Sequence, residues 1–226
     1  MIFALLFSYF FYFQTVKTDT KTPTYLSSVS GNLNTVANAN YLNDFEKELI
    51  LEMNKLRSAP AEYANVYIAP LVNNYNGLIL YYPGDKPLKT KEGVKAVHEC
   101  VRALKSVKPA PLLSPAAGLT KAARDHVKDQ SRTGATGHTG SDNSTIRKRV
   151  ERYGTWKYRI GENIAYGGKT PRQVVIYLLI DDGVYDRGHR TNMLNPEFKT
   201  TGVATGFHPL YDVMHVMEYA AAYSDK

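Results

Sequence analysis

The imidazole at position 189 is the first group in this sequence that could do chemistry. It lies in the stretch DRGHRTNMLN, from Asp186 to Asn195, directly after a glycine and before an arginine. A neutral imidazole can bind a metal ion, and its ordinary pKa lets it act as an acid or a base near neutral pH. The same stretch also fits a polar side chain in a surface loop, so His189 has two interpretations: a functional group or a loop residue.

The usual motifs of hydrolytic and phosphate-transfer enzymes are absent from the sequence. HECVR, which begins at His98, has Arg102 where the zinc-protease pattern HExxH requires its second histidine. There is no GxSxG nucleophile elbow and no phosphate-binding glycine loop. The single cysteine, Cys100, excludes an internal disulfide and a Cys/His zinc cluster. Apolar neighbours at helical spacing predict that Cys100 is a small buried side chain.

Helical periodicity and capping residues define the elements that must position these groups. A cap at Asn43 and a stop at Pro60 bound the first predicted helix. Another helix is expected to begin with Ser114 as its cap and Pro115 at its first position, and to end at Gly134. The predicted helical segments cover residues 43–58, 61–68, 94–107, 114–134, 146–154 and 171–180.

Strand patterns are concentrated near the C-terminal end of the sequence. TGVATGF and VMHVMEYAAAY are rich in β-branched and aromatic residues and are separated by HPLYD, which predicts an antiparallel hairpin. Helices followed by strands predict an α+β domain in which helices cover an antiparallel sheet.

The N-terminal segment differs in composition from the rest of the sequence. Residues 1–14, beginning MIFALLFSYFFYF, are apolar and shorter than the roughly 20 residues of a spanning helix, and are interpreted as a signal or hydrophobic segment. Residues 15–41 are polar and predict a linker, which leaves a single domain over residues 42–226. A chain that starts at Leu42 is therefore expected to melt close to one that starts at Lys17.

Composition restricts the class of protein and its partners. The sequence of 226 residues is 43% hydrophobic and 22% charged, as in a soluble globular domain without a transmembrane helix. Its net charge of +7 favours an anionic surface such as lipid headgroups. The basic cluster IRKRVERYG predicts an amphipathic helix with a solvated face, and no specific nucleic-acid motif accompanies it.

Four segments together resemble one family: TGHTGSD, GENIAYGG, VVIYLLIDDG and RGHRTNMLNPEFKTTGVA. In this order and spacing they resemble the CAP superfamily, also called the SCP-like or cysteine-rich secretory, antigen 5 and pathogenesis-related group 1 family. The resemblance covers roughly residues 42–223. It implies an α-β-α sandwich with a central antiparallel sheet between helical layers, and a secreted or cell-surface protein. The lack of disulfides resembles the disulfide-free bacterial or protist-like branch.

The resemblance also implies a cavity lined by two histidines and two acids. His138, Glu162 and His189 match three of these positions. The family pattern V-x-x-W-x-x-E places Leu178 at its tryptophan and Asp181 at its glutamate, one methylene shorter. Such a set can hold zinc or another divalent metal with modest affinity. The alternative is that the acids pair with the histidines and orient loops without a metal.

Three functions remain open at this point. The first is a ligand-binding module with a groove for a lipid, a sterol or a peptide, and with the His/acid cavity able to bind a metal. The second is a zinc-dependent hydrolase in which Glu162 acts as general base. The third is a structural or interaction protein that binds neither. Arg187 and Arg190 are candidate contacts for an anionic ligand, although solvated loop charges are the simpler interpretation.

Overall fold

A computed structural model describes residues 33–226. The segment expected over residues 1–14 and the first part of the expected linker lie outside the described residues. Within residues 33–226, the α-helices are α1 (Asp44–Ser58), α2 (Pro60–Tyr63), α3 (Val94–Ser106), α4 (Ala117–Thr133), α5 (Ile146–Tyr153), α6 (Pro171–Ile180) and α7 (Gly188–Leu194). A π-helical segment, Ala64–Ile68, and a 3-10 segment, Ala69–Asn74, continue from α2.

Two sheets are present in the described part of the chain. The small sheet has the order β1 (Tyr75–Asn76), β2 (Ile79–Leu80) and β3 (Leu88–Lys89). The main sheet has the order β4 (Ser114–Pro115), β6 (Thr200–His208), β7 (Asp212–Asp225) and β5 (Gly154–Tyr166). The β6–β7 hairpin and the predicted helical segments agree with the sequence. Four elements have no counterpart among the predicted ones: α7, β4, β5 and the small sheet.

The main sheet is not wholly antiparallel, in contrast to the expectation from sequence. β4 pairs with β6 in parallel, while β7 pairs antiparallel with both β6 and β5. Ser114 N–H donates to the Lys199 carbonyl at 2.9 Å, so Ser114 belongs to this strand pair and is not the cap of α4. The helix begins two residues later than expected, after Ala116, and ends at Gly134 in the left-handed conformation, as predicted.

Helices cover both faces of the main sheet. On one face, α1 and α6 pack against a core that includes Val203, Met217 and Tyr219. On the other face, α4 and α5 pack against Val216 and Ala220. Successive strand residues point to opposite faces, which explains the alternation along β7. The α-β-α sandwich expected from the resemblance is confirmed.

The packed domain starts before the boundary expected at residue 42. Val36 and Ala39 are buried in the main core. The Asn54 side-chain amide donates to the Leu33 carbonyl at 3.2 Å and to Thr35 Oγ1 at 3.1 Å. Residues 33–41 resemble a linker in sequence because they belong to a stretch rich in Thr, Ser, Asn and Lys and show no apolar periodicity. Their attachment depends on a buried asparagine of α1, which the local pattern does not reveal.

The expectation that Cys100 is a small buried side chain agrees with the fold. Cys100 is fully buried on α3, and burial raises the pKa of its thiol to about 12, in agreement with an unreactive core residue. No helix within residues 33–226 combines the length and the apolar character needed to cross a membrane.

Candidate functional site

Glu162 is the centre of a buried charged cluster on the face of the sheet covered by α4 and α5. Arg149, from α5, donates through Nη2 to Glu162 Oε2 at 2.6 Å. His138, from the loop after α4, donates through Nδ1 to Glu162 Oε1 at 2.7 Å. The Glu162 and Arg149 side chains are 2% and 1% exposed, whereas that of His138 is 56% exposed. Both carboxylate oxygens are therefore engaged inside the protein.

These contacts set the charge of the pair. Burial is the largest influence on Glu162 and by itself would raise its pKa, but the His138 hydrogen bond and the Arg149 charge outweigh it, and the pKa lies below the ordinary value. The hydrogen bond to Glu162 raises the pKa of His138. Glu162 is consequently an anion, and His138 holds a proton more readily than a free imidazole.

Glu218 lies beside Glu162 on the neighbouring strand. The two glutamates are direct partners in the β5–β7 register, and the Glu218 side chain is fully buried. Among the described residues, no donor reaches either oxygen of Glu218. Burial, and then the charge of Glu162, raise the pKa of Glu218 well above its ordinary value. Glu218 therefore keeps its proton, which it can share with Glu162.

Asp181 and His189 form a second pair on other elements. Asp181 ends α6 in the left-handed conformation, with φ of 55°, and His189 is in the first turn of α7. The Asp181 carboxylate accepts from His189 Nδ1 at 2.6 Å and from its backbone N–H at 3.0 Å. The chain reversal at Asp181 brings its carboxylate to His189, so the shorter acid still reaches its histidine.

The two histidine–carboxylate pairs are connected through the edge strand β5. Asn163, which follows Glu162, points to the other face of the sheet and donates to the His189 carbonyl at 2.9 Å. Asn192 of α7 donates to the Asn163 side-chain oxygen at 2.9 Å and to the Glu162 carbonyl at 3.2 Å. These asparagines tie α7 to β5 and so fix His189 relative to the strand that carries Glu162.

The side chains offer few free ligands for a metal. Each histidine uses Nδ1 on a carboxylate, which is the usual support of a metal-binding imidazole and leaves Nε2 as its free nitrogen. Glu162 and Asp181 have both oxygens occupied. Within the described residues, no group of three or more His, Cys, Asp and Glu is arranged to hold a metal ion. Two nitrogens are fewer than the three firm ligands of a usual catalytic zinc site, so a cation held by these histidines alone would be weakly bound.

Arg187 and Arg190 serve inside the domain and are not solvated loop charges. Arg187 forms a bidentate pair with Glu92, at 2.8 Å for each bond, and Arg190 forms one with Glu99, at 2.7 and 2.8 Å. Arg190 also donates to the Leu179 carbonyl. Their guanidinium groups link α7 and the preceding loop to the start and the middle of α3. Neither is free to receive an anionic ligand without breaking these contacts.

A groove of about 630 Å³ lies between α1, the helical segments that follow Pro60, and the start of α6. We call it the α1–α6 groove. Its apolar lining is Leu51, Val66, Tyr67, Leu71, Tyr82, Pro83, Pro171 and Ile176. Glu48, Glu52, Lys55, Thr170 and Arg172 supply its polar lining. The volume is in the range of pockets that hold small organic ligands.

One wall of the α1–α6 groove carries a fixed ion pair. Glu52 accepts from Arg172 Nε at 2.8 Å, from Lys55 Nζ at 2.9 Å and from the Tyr63 hydroxyl at 2.9 Å. Burial would raise the pKa of Glu52, but the hydrogen bonds of Arg172 and Lys55 hold it below the ordinary value. The Arg172 guanidinium stacks over the Tyr67 ring at 4.1 Å. The cation is thus held in place while 41% of its side chain remains exposed.

Sequence reasoning identifies the four histidine and acid positions but misses several residues that act with them. Arg149 fits a solvated helix face in sequence, yet it is buried and paired with Glu162. Glu218 and Asn163 lie within strands, and Asn192 lies in the motif around His189. The available signal was a charged residue on the apolar side of a short helix, since Arg149 precedes the buried Val150.

A family model matches most of the chain. The model of the cysteine-rich secretory protein family, CAP, matches residues 52–219. The matched region contains both histidine–carboxylate pairs and most of the α1–α6 groove. Among curated proteins, none matches the sequence.

Two solved structures are similar at low identity. An extracellular protein containing a SCP domain from Bacillus anthracis str. Ames is 21% identical, over 57% of this chain and 38% of its own, with a TM-score of 0.40. An outer surface protein from Borrelia burgdorferi is 18% identical, over 48% of this chain and 76% of its own, with a TM-score of 0.41. The chain thus spans well under half of the Bacillus protein, and these similarities are too low to transfer a property.

Proposed function

Because the chain belongs to the cysteine-rich secretory protein family, CAP, we propose that it is a ligand-binding module whose ligand occupies the α1–α6 groove. We further propose that the protein works outside the cell or at its surface. The net charge of +7 supports contact with an anionic surface there.

The observation that carries the proposal is the combination of an apolar lining and a fixed cation in one groove of about 630 Å³. Apolar side chains such as Ile176 and Leu71 favour a hydrophobic ligand. Arg172 is held by Glu52 and Tyr67 and is ready to meet a polar or anionic group. An amphipathic ligand fits both features, which favours a sterol or other lipid, or a peptide with apolar side chains.

A hydrolase has less support. A general base must reach a water molecule and take its proton. The Glu162 carboxylate is 2% exposed, both of its oxygens are engaged, and its pKa is lowered despite its burial by the His138 hydrogen bond and the Arg149 charge. Each of these features opposes proton uptake by Glu162.

The groove can be tested with purified protein. Native mass spectrometry after exposure to a lipid extract, followed by titration with a fluorescent cholesterol analogue and with an amphipathic peptide, measures which ligand is bound. Leu51→Arg places a charge in the groove and is expected to weaken binding at least tenfold. Leu210→Arg is the matched control, because Leu210 is exposed on the β6–β7 turn. A wild-type protein that binds neither lipid nor peptide would favour a structural or interaction protein and overturn the proposal.

We also propose that His138 and His189 bind a divalent metal such as zinc with modest affinity through Nε2, supported by Glu162 and Asp181. A bound metal would supply a positive charge and an open coordination position. Calorimetric titration with zinc at pH 7.5 is expected to show at least tenfold weaker binding for His138→Ala and for His189→Ala. His98→Ala, on the exposed side of α3, is the control. Equal zinc binding by all four proteins, or none by the wild type, would contradict this proposal.

A further inference from the structure

The first half of β5 forms an exposed edge of the main sheet. β5 is an outer strand of this sheet, and within residues 33–226 its strand partner is β7 alone. The register of this pairing shifts between Lys157 and Ile160, which leaves a β-bulge at Tyr158 and Arg159. A bulge turns side chains away from the regular direction of a strand, so this segment presents its side chains in its own way.

Tyr158 is held in a strained conformation with its ring in solvent. Its φ of 71° lies in the left-handed region, which a residue with a bulky side chain rarely adopts. The side chain is 88% exposed, and neither its ring nor its hydroxyl has a partner among the described residues. Strain of this kind is typical of ligand-binding segments. The bulge therefore carries a free aromatic ring at the surface.

Arg147 of α5 is a positioned cation close to this ring. Its guanidinium lies over the ring of Trp156, 5.2 Å from the centroid. Trp156 is two residues before Tyr158, and its ring N–H donates to Glu151 Oε1 at 3.0 Å. The hydrogen bond fixes the indole, and the indole in turn limits how far the guanidinium of Arg147 can move.

The surface around the bulge has more cations than carboxylates. We call it the β5 bulge patch and define it by Arg147, Trp156, Lys157, Tyr158 and Arg159. Arg147 and Lys157 are exposed, and neither forms an ion pair with another described residue. Arg159 pairs with Glu197, and these side chains are 56% and 55% exposed. The other carboxylate in contact with the patch is Glu151, so two cations remain for an anionic ligand.

Protection of the sheet edge does not explain the whole patch. A bulge and charged side chains prevent an edge strand from pairing with another chain, and Lys157 and Arg159 are sufficient for that. Edge protection requires neither the free ring of Tyr158 nor the stacking of Arg147 on Trp156. Trp, Tyr and Arg are the residue types that contribute most to binding at interfaces. The composition of the patch therefore indicates a binding surface.

We propose that the β5 bulge patch binds a linear anionic polysaccharide, with a sugar ring on Tyr158 and sulfate or carboxylate groups at Arg147 and Lys157. The C–H groups of a sugar ring pack on the electron-rich face of an aromatic ring. Guanidinium and ammonium groups form charge-assisted hydrogen bonds with sulfate and carboxylate oxygens. The choice of a polysaccharide over a nucleic acid rests on the proposed function, which places the protein outside the cell or at its surface.

The patch itself is separate from the α1–α6 groove. α5 covers the face of the main sheet opposite to that covered by α1 and α6. The binding of a polysaccharide therefore does not depend on what the groove binds.

The test compares three polymers with the same backbone: dextran sulfate, carboxymethyl dextran and neutral dextran. Calorimetric titration of the wild-type protein is expected to show binding of the anionic polymers and binding of neutral dextran that is weaker by about tenfold or more. The tighter of the two anionic polymers identifies the preferred group. Arg147→Gln/Lys157→Gln is expected to weaken this binding by about tenfold. Arg102→Gln/Lys105→Gln removes the same charges from the exposed side of α3 and is expected to behave as wild type.

Tyr158→Gly separates a binding role from a structural role. Glycine adopts the left-handed conformation without strain, so the melting temperature is expected to equal or exceed that of the wild type. Affinity for dextran sulfate is expected to fall by about threefold or more, because the sugar ring loses its aromatic partner. A purely structural Tyr158 would instead lower the melting temperature and leave the affinity unchanged.

A groove variant distinguishes this inference from the proposed function. Leu51→Arg is expected to keep wild-type affinity for dextran sulfate, even where it abolishes binding in the α1–α6 groove. The inference would be overturned by no binding of either anionic polymer, by equal binding of neutral dextran, by unchanged affinity in Arg147→Gln/Lys157→Gln, or by an equal loss in the α3 control. Tighter binding of a single-stranded DNA of equal charge would also overturn it and would make the patch a nucleic-acid surface.

Discussion

The pKa values of two neighbouring glutamates in one strand pair are shifted in opposite directions because their partners differ. Glu162 faces Arg149 and His138, whose hydrogen bonds and charges stabilise an anion. Glu218, across the ladder, is fully buried beside that anion and has no donor among the described residues. A shared proton converts the repulsion between two carboxylates into a hydrogen bond. The arrangement holds as long as Glu218 remains protonated.

Glu218→Gln is expected to stabilise the protein increasingly as pH rises. Because its folded pKa is raised, Glu218 keeps a proton that the unfolded chain releases, so wild-type stability falls as pH increases above about 4.5. The amide of the substituted side chain donates to Glu162 without this penalty. We expect a gain of about 1 kcal/mol, or about 2–4 °C in melting temperature at pH 8, and little difference at pH 4. Thermal melts from pH 4 to 8 measure the difference in melting temperature, with the exposed Glu48→Gln as the control. A difference that stays the same at every pH would contradict the shared proton.

Arg149→Met is expected to destabilise the domain by about 3–5 kcal/mol, because it leaves the Glu162 charge buried without its cation. The double variant Arg149→Met/Glu162→Gln removes both charges and should recover a large part of the loss. Denaturant unfolding of the four proteins in this cycle gives the coupling energy. Arg132→Met, at an exposed pair with Asp129, should change stability by less than about 1 kcal/mol. Additive losses at Arg149 and Glu162 would show that the pair does not couple.

At the scale of elements, residues 33–41 act as a strap that closes the core. Thr35 Oγ1 donates to the Leu113 carbonyl at 2.7 Å, and Asn54 Nδ2 donates to the same carbonyl at 3.2 Å. The Leu113 N–H returns a bond to Asn54 Oδ1 at 2.8 Å. The strap thus joins α1 to the start of the main sheet through one buried asparagine.

A chain that starts at Leu42 is accordingly expected to melt at least about 5 °C below one that starts at Leu33, on the order of 1–2 kcal/mol for this size. The shorter chain lacks the buried side chains of Val36 and Ala39. It also lacks the acceptors in residues 33–41 to which the Asn54 side chain donates hydrogen bonds. Differential scanning calorimetry of the two chains measures the difference. Within the longer chain, Val36→Ser should reproduce part of it, and equal melting temperatures would mean that residues 33–41 are only a linker.

Some helices and strands can be predicted from the sequence, and others cannot. α1 and α6 can be predicted because their caps and apolar residues are local signals, such as Asn43 for the first and Pro171 for the second. β5 escapes prediction because its alternation is broken at a bulge between Lys157 and Ile160, where Tyr158 has φ of 71°. β4 escapes it because a two-residue parallel pair with β6 has no local pattern.

The candidate site, like the elements, can be predicted only in part from the sequence. The positions of His138, Glu162, Asp181 and His189 follow from motif order, since the family resemblance aligns them. Their pairing depends on where the loop after α4 and the turn after α6 return to β5, which is a tertiary property. Helical periodicity places Arg149 on the apolar side of α5, three residues after Ile146, but its partner Glu162 lies on another element and does not follow from the local pattern.

At the scale of the whole molecule, titrating groups limit stability on both sides of neutrality. Burial lowers the pKa of His215 to about 4, and burial also lowers the pKa of His126. In acid the unfolded chain binds protons that these folded histidines do not take up, so stability falls as pH drops below about 6.5. Glu218 acts in the opposite direction, as does His138, whose pKa is raised by its bond to Glu162. The stability of the domain is therefore expected to pass through a maximum at a pH between the acid and the alkaline range.

His215→Gln is expected to flatten the acid side of this profile by up to about 3 kcal/mol between pH 6.5 and 4, the range set by the shift of the His215 pKa to about 4. The readout is the slope of stability with pH, because loss of the Phe45 stack lowers stability at every pH. Denaturant unfolding at several pH values measures it. His98→Gln should keep the wild-type slope. An unchanged slope in His215→Gln would mean that His126 and the carboxylates cause the loss of stability in acid.

The position of β7 in the main sheet has a consequence for the order in which the domain can fold. β7 follows every other strand in sequence, yet it lies inside the sheet, between β6 and β5. Until β7 is synthesised, the 13 residues of β5 have no strand partner. Closure of the sheet must therefore wait for the last strand, and a nascent chain carries an open edge until then.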